Sequence, residues 1–109
     1  MAVIASKAPV VVVEPDVLPH VRAKGVDAVL QRLLAATTRV FPTLRELRVR
    51  LSPDPEIRDY TFIVFEVRVS RTDVPDYIEA LERWDAERVA VDPPPHREPF
   101  VLNLRREAE

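Results

Sequence analysis

The chain has 109 residues, a hydrophobic content of 47%, a formal net charge of −2 and no cysteine. This length and composition are typical of one globular domain, which we expect to span residues 1–109. A chain without cysteine has no disulfides, no thiol nucleophile and no cysteine-ligated metal centre.

The charge is distributed unevenly along the chain. Residues 1–54 hold 8 Lys/Arg and 5 Asp/Glu, a balance of +3, whereas residues 55–109 hold 8 and 13, a balance of −5. This mild asymmetry argues against a general nucleic-acid binder and allows head-to-tail electrostatic pairing.

The first strong pattern is the apolar run Val10–Val13, which Glu14 and Pro15 end. This run is too short for a signal sequence, and no stretch approaches the roughly 18–20 apolar residues of a membrane span. We therefore expect a cytoplasmic protein that does not contact a membrane. A continuous β-branched run is typical of a central strand that is covered on both faces.

Helical signals follow this strand. Residues 16–24 are predicted to form a short helical turn that Asp16 caps and Gly25 ends. From Val26 to Val40 the apolar residues recur at helical spacing, which predicts an amphipathic helix that ends at Phe41 and Pro42.

Two strands are predicted next. Leu47, Val49 and Leu51 alternate with charged residues, as in a half-buried strand. A turn-rich connection over residues 52–56 leads to the strongest strand, residues 61–69, which places apolar residues on both faces.

The second half closes with a helix and a strand. Asp73 is predicted to cap a helix that continues to Trp84, and Pro93–Pro95 is predicted to be a stiff extended loop. Alternation from Phe100 to Leu104 predicts the last strand, and we expect the tail from Arg106 to fray.

The order β-α-β-β-α-β predicts an α+β, ferredoxin-like domain: a four-stranded antiparallel sheet with two helices on one face. The first and third strands are central in that topology, and here they are the most continuously apolar. The predicted core comprises Val11, Val29, Leu33, Leu47, Val49, Ile63, Phe65, Val67, Ile78, Leu81 and Leu102.

Few residues suggest catalysis. The carboxylates of Asp54, Glu56 and Asp59 could bind a divalent cation, but their turn chemistry favours a solvated turn. His20 and His96 each lack partners that would orient them, which favours surface positions. We therefore predict no catalytic residue, no metal and no cofactor.

The face of the predicted sheet without helices is the main candidate site. It would carry Arg48, Arg50, Phe62, Val64 and Arg68. An aromatic ring among arginines can stack a base and hold phosphate, as in RNA-binding sheets. The central Glu66, the missing RNP signature and the acidic total favour a dimerisation or partner surface instead.

Trp84 has two interpretations. Its helical spacing suits a core residue near the end of the helix. Alternatively, it is an exposed anchor for a protein partner, a role that tryptophan often takes.

One stretch resembles a known family. The residues Asp54-Pro55-Glu56, the apolar strand from Tyr60 and the run Ala80–Glu87 are similar to a pattern in small, uncharacterised prokaryotic proteins, "DPE" followed by an "FDEE"-like helix end. The similarity covers about residues 10–105 and departs from the family at Pro93–Pro95. Some members resemble antitoxin-like partners of a neighbouring gene product, and the resemblance implies no catalytic residue.

These observations predict a non-catalytic protein-interaction module that forms a homodimer through its sheet and is antitoxin-like by resemblance. The alternative is single-stranded nucleic-acid binding through the same open face. A small enzyme is the third hypothesis, and it would need a cleft with perturbed carboxylates.

Overall fold

The computed structural model of the chain describes residues 10–92 and 98–108. These residues form four strands and three helices: β1 Val10–Val13, α1 Val17–Ala23, α2 Asp27–Val40, β2 Glu46–Pro53, β3 Thr61–Ser70, α3 Tyr77–Val91 and β4 Phe100–Glu107. None of the helices in this part of the chain is both long and apolar enough to cross a bilayer. The predicted loop Pro93–Pro95 and His96 lie outside the described residues.

The sheet has the order β1-β2-β3-β4. β1 is parallel to β2, β2 is antiparallel to β3, and β3 is parallel to β4. The chain is therefore built from two β-α-β units joined by the β2–β3 hairpin. In each unit the helical connection returns the chain to the strand directly beside the one it left.

The prediction of a ferredoxin-like antiparallel sheet with two helices is wrong, because the sheet is mixed and three helices accompany it. The central strands are β2 and β3, not β1 and β3. Val10 and Val11 are 54% and 47% exposed, as expected on an outer strand, so Val11 does not belong to the core. The alternating apolar and charged residues of β2 show that one face of this strand is open. Central and edge strands can both have one open face, so the pattern does not distinguish between them.

The sequence predicted the boundaries of α2 correctly but not the start of α3. α2 follows the predicted pattern and buries Leu30, Leu33, Ala36, Thr37 and Val40. α3 starts later than predicted, because its cap is Asp76 and not Asp73. The Asp76 Oδ1 accepts a hydrogen bond from the Glu79 N–H at 3.0 Å.

The last strand is longer than predicted. β4 continues to Glu107 instead of fraying from Arg106. The Arg106 guanidinium donates to the carbonyl oxygens of Val74 and Pro75, both at 3.2 Å, and lies 5.3 Å from the centroid of the Tyr77 ring. These contacts tie the end of β4 to the start of α3.

The core lies between the helices and one face of the sheet. Six predicted members are fully buried: Leu33, Leu47, Val49, Ile63, Phe65 and Val67. Val29, Leu81 and Leu102 pack against the core while partly exposed. Ile78 is wrong as a core residue, being 61% exposed, because α3 turns Ala80 and Trp84 inward instead.

Trp84 is a core residue, and its interpretation as an exposed anchor is wrong, since only 3% of it is exposed. Its indole Nε1 donates to the Thr37 Oγ1 at 3.0 Å, and that hydroxyl donates to the Leu33 carbonyl at 2.6 Å. The indole ring also lies 5.8 Å from the Phe65 ring, measured between centroids. One buried hydroxyl therefore links α2 to α3 directly above the centre of the sheet.

Replacing Thr37 by valine should lower the free energy of unfolding by about 1–3 kcal/mol, the cost of a buried donor left without an acceptor. The matched control is Thr38→Val, because the Thr38 hydroxyl reaches only the Ala35 carbonyl of its own helix, at 2.8 Å. The control should change stability by less than about 0.5 kcal/mol. Urea unfolding followed by tryptophan fluorescence measures both; equal losses would show that the hydroxyl between the helices contributes nothing particular.

Candidate functional site

The carboxylate-rich connection between β2 and β3 is a structured turn. The Asp54 Oδ1 accepts hydrogen bonds from the N–H groups of Glu56 and Ile57, at 2.8 and 3.0 Å. Asp59 adopts a left-handed φ of 60°, which aspartate tolerates better than most residues. Across residues 10–92 and 98–108, no group of three or more His, Cys, Asp or Glu residues is arranged to hold a metal ion. The geometry of Asp54 thus supports the solvated-turn interpretation.

The face of the sheet opposite the helices brings together the predicted site residues. Leu47, Val49 and Phe65 point into the core, so their neighbours in sequence point the other way. This open face carries Glu46, Arg48 and Arg50 of β2, Phe62, Val64, Glu66 and Arg68 of β3, and Val101, Asn103, Arg105 and Glu107 of β4. It divides into a charged end and an apolar end, the latter next to the hairpin turn.

At the charged end, arginines and glutamates alternate across the strands. Arg48 lies 3.4 Å from Glu14 and 3.4 Å from Glu46, measured between nitrogen and carboxylate oxygen. Arg68 lies 3.1 Å from Glu46 and 3.4 Å from Glu107. Glu46 therefore bridges two arginines, and the charges form a continuous row from the end of β1 to the end of β4.

Glu66 organises the middle of the face. Its Oε2 accepts a hydrogen bond from the Asn103 side-chain amide at 3.2 Å. The same oxygen lies 3.9 Å from nitrogens of both Arg50 and Arg105. Each of the predicted phosphate-binding arginines Arg48, Arg50 and Arg68 therefore has a carboxylate within ion-pair distance.

These ion pairs bear directly on nucleic-acid binding. Partly exposed pairs stabilise a fold by only about 0–1 kcal/mol each, so their importance here is not stability. Their effect is electrostatic: alternating charges a few ångströms apart cancel the positive field that would attract a phosphate backbone. Among the residues that the structure describes, each arginine of the open face has a carboxylate within 4 Å.

The apolar end consists of Tyr60, Phe62, Val64 and Val101. Tyr60 and Phe62 meet edge to face, with ring centroids 5.2 Å apart. Val64 is only 6% exposed, so its expected role as an exposed contact is wrong. It lies between Arg50 of β2 and Val101 of β4. The accessible apolar surface is therefore provided by Tyr60, Phe62 and Val101, with Val64 beneath them.

Sequence reasoning missed several members of this face. Tyr60 and Arg105 could have been predicted from the sequence, because the alternation of side chains along a strand places Tyr60 on the same face as Phe62 and Arg105 on the same face as Val101. Glu14 could not be assigned, since its pairing with Arg48 depends on β1 lying beside β2. For Arg48, Arg50, Phe62 and Arg68 the structure confirms that the four residues lie on one face of the sheet. Their role in binding stays a prediction.

Comparison of this chain with protein-family models, with curated proteins and with solved structures finds no match.

Neutralisation of the arginines can be tested by removing the carboxylates. The double variant Glu46→Gln/Glu66→Gln should bind a labelled single-stranded oligonucleotide at low salt, with an affinity that falls steeply as salt rises. Fluorescence anisotropy should show little binding by the parent chain. The control Glu56→Gln/Glu82→Gln makes the same change in net charge at exposed positions off the open face. If both double variants bind equally, net charge alone decides binding and the ion pairs on the sheet are irrelevant.

Proposed function

We propose that this chain is a cytoplasmic protein-interaction module without catalytic activity, and that the apolar end of its open sheet face binds another protein. The observation that carries this proposal is the combination, on one face, of an exposed Tyr60 and a half-buried Phe62 with arginines that are already paired. Grouped apolar residues of this kind mark contact surfaces. Paired charges beside them suit a protein partner better than a polyanion.

The simplest partner is a second copy of the chain, which makes the protein a homodimer. A two-fold axis needs only a patch that complements itself, and the apolar end can pack on its own copy around Phe62. The charged end supplies both signs, so arginines of one copy can face glutamates of the other. Such pairs fix the register of the two copies more than they add affinity.

The resemblance of Asp54-Pro55-Glu56 and Ala80–Glu87 to a family with antitoxin-like members suggests a second form of the same function. In this second form the partner is the product of a neighbouring gene, and it binds to the apolar end of the chain's open face. Both forms depend on the same residues, Tyr60, Phe62 and Val101. Neither requires a metal or a cofactor.

Replacing Phe62 by glutamate should convert the homodimer into a folded monomer, because a charge at the centre of the apolar end cannot be solvated in the interface. Light scattering coupled to gel filtration measures the mass, at tens of micromolar protein. The matched control is Ile57→Glu, which puts the same charge on a 54% exposed apolar residue in the hairpin turn, off the sheet. The control should remain a dimer.

Two results would contradict the homodimer. One is a monomer mass for the parent chain at these concentrations, and the other is a dimer that survives Phe62→Glu. The heteromeric form is tested by purification from the native host. A stoichiometric protein partner that is lost in Phe62→Glu and kept in Ile57→Glu supports it, and recovery of the chain alone contradicts it.

A further inference from the structure

One side of α3 carries two charged residues at positions where the helical spacing favours apolar ones. Leu81, Trp84, Asp85 and Arg88 recur at that spacing, so they lie on the same side of the helix. Leu81 and Trp84 pack with the core, as the spacing predicts. Arg88 is unusual at such a position, because a charged side chain lies there with only 14% of its surface exposed.

This side of α3 forms one wall of a groove. The groove lies between α3 and β4 and has a volume of about 450 Å³. Leu81 and Trp84 line it on the helix, and Phe100 and Leu102 line it on the strand. Sites for small molecules have volumes of roughly 300–1,000 Å³, with mostly apolar walls and a few polar groups. The groove matches that description in size and in composition.

The guanidinium of Arg88 has one occupied edge and one open edge. Its Nε and Nη2 atoms both donate to the Asp85 Oδ1, at 3.0 and 2.6 Å. Within residues 10–92 and 98–108, Nη1 makes no hydrogen bond, and it is not sealed from solvent. The five N–H groups of an arginine form a rigid fork that can serve two carboxylates at once. Arg88 can therefore bind a second carboxylate while it keeps Asp85.

The depth of each charge decides which sign the groove attracts. Glu82 and Asp85 also line the groove, but Glu82 is exposed and so is 58% of the Asp85 side chain. Water and salt screen such exposed charges. Arg88 lies deeper among apolar side chains, where the lower dielectric strengthens a hydrogen bond to an ion. The strongest polar interaction that the groove offers is thus with an anion.

We propose that this groove binds an amphipathic monocarboxylate, a small molecule with one carboxylate and a short apolar body. The carboxylate accepts charge-assisted hydrogen bonds from the open edge of Arg88. The apolar body packs against Leu81 and Leu102, which removes its surface from water. This site goes beyond the proposed function of the open face, because Tyr60 and Phe62 do not line the groove.

Three probes of matched length separate the effect of charge from that of the apolar body: hexanoate, hexanamide and hexylamine, whose head groups are negative, neutral and positive at neutral pH. Trp84, the single tryptophan of the chain, is part of the groove wall, so its fluorescence reports binding. The titrations extend to about 10 mM, as suits ligands of so few atoms. Hexanoate should bind roughly tenfold or more tightly than hexanamide, the gain from hydrogen bonds to a charged group, and hexylamine should bind most weakly.

Variants of α3 assign the binding to the guanidinium. Arg88→Leu should weaken hexanoate binding by roughly tenfold or more and should change hexanamide binding little. The matched control is Arg83→Leu, which removes the same charge from an exposed residue of the same helix that does not line the groove. This control should bind hexanoate like the parent chain. Asp85→Asn should tighten hexanoate binding several-fold, because it removes a negative charge beside the ligand.

Four results would overturn the proposal. Hexylamine that binds more tightly than hexanoate would assign the groove to cations held by Glu82 and Asp85. Equal binding of the three probes would leave Arg88 without a role, and no saturable change in fluorescence would show that none of them binds. The fourth is hexanoate binding that survives Arg88→Leu. If urea unfolding shows that Arg88→Leu does not fold, the order of the three probes and Asp85→Asn decide. None of these results bears on the proposed function, since Tyr60 and Phe62 stay unchanged.

Discussion

The hydroxyl of Thr37 joins the two halves of this fold. α2 is the long helix in the connection between β1 and β2, and α3 connects β3 to β4. The bond from the Trp84 indole to Thr37, at 3.0 Å, links these two connections in the core, where neither polar group reaches water. Because a buried donor without an acceptor is costly, the bond fixes how the two β-α-β units sit against each other. The bond and the apolar core around it together hold α2 and α3 against each other over the sheet.

That position explains what the sheet leaves uncovered. With α2 and α3 in contact over the centre of the sheet, helix-facing residues in the middle of β2 and β3 are fully buried, among them Leu47, Val49 and Phe65. Toward the outer strands the cover thins: Val11 of β1 is exposed and a groove opens beside Leu102 of β4. The incomplete cover of β1 and β4 is thus a consequence of how α2 and α3 pack over the middle of the sheet.

Local patterns predicted the elements well and their arrangement poorly. The spacing of apolar residues alone located α2, β2 and β3. Each of these elements buries one side, so its apolar residues recur with the period of a helix or of a strand. The order of the strands depends instead on where each helical connection returns the chain, and the run Val10–Val13 is compatible with either answer. The Arg48, Arg50, Phe62 and Arg68 side chains were placed on one face correctly, since alternation survives a change of topology. Their pairing with Glu14 and Glu107 could not be predicted, because it depends on the strand order.

The arginines of the open face are paired within the chain, and this limits the kind of partner that the face can attract. On the open face, opposite charges lie within 4 Å of each other, so their fields cancel before they reach a partner. The imbalance between the two halves of the chain is also reduced locally, because ion pairs within 4 Å join Arg39 to Glu87, Arg45 to Glu107 and Arg50 to Glu66. Recognition through the open face therefore depends on the shape of the apolar end around Phe62.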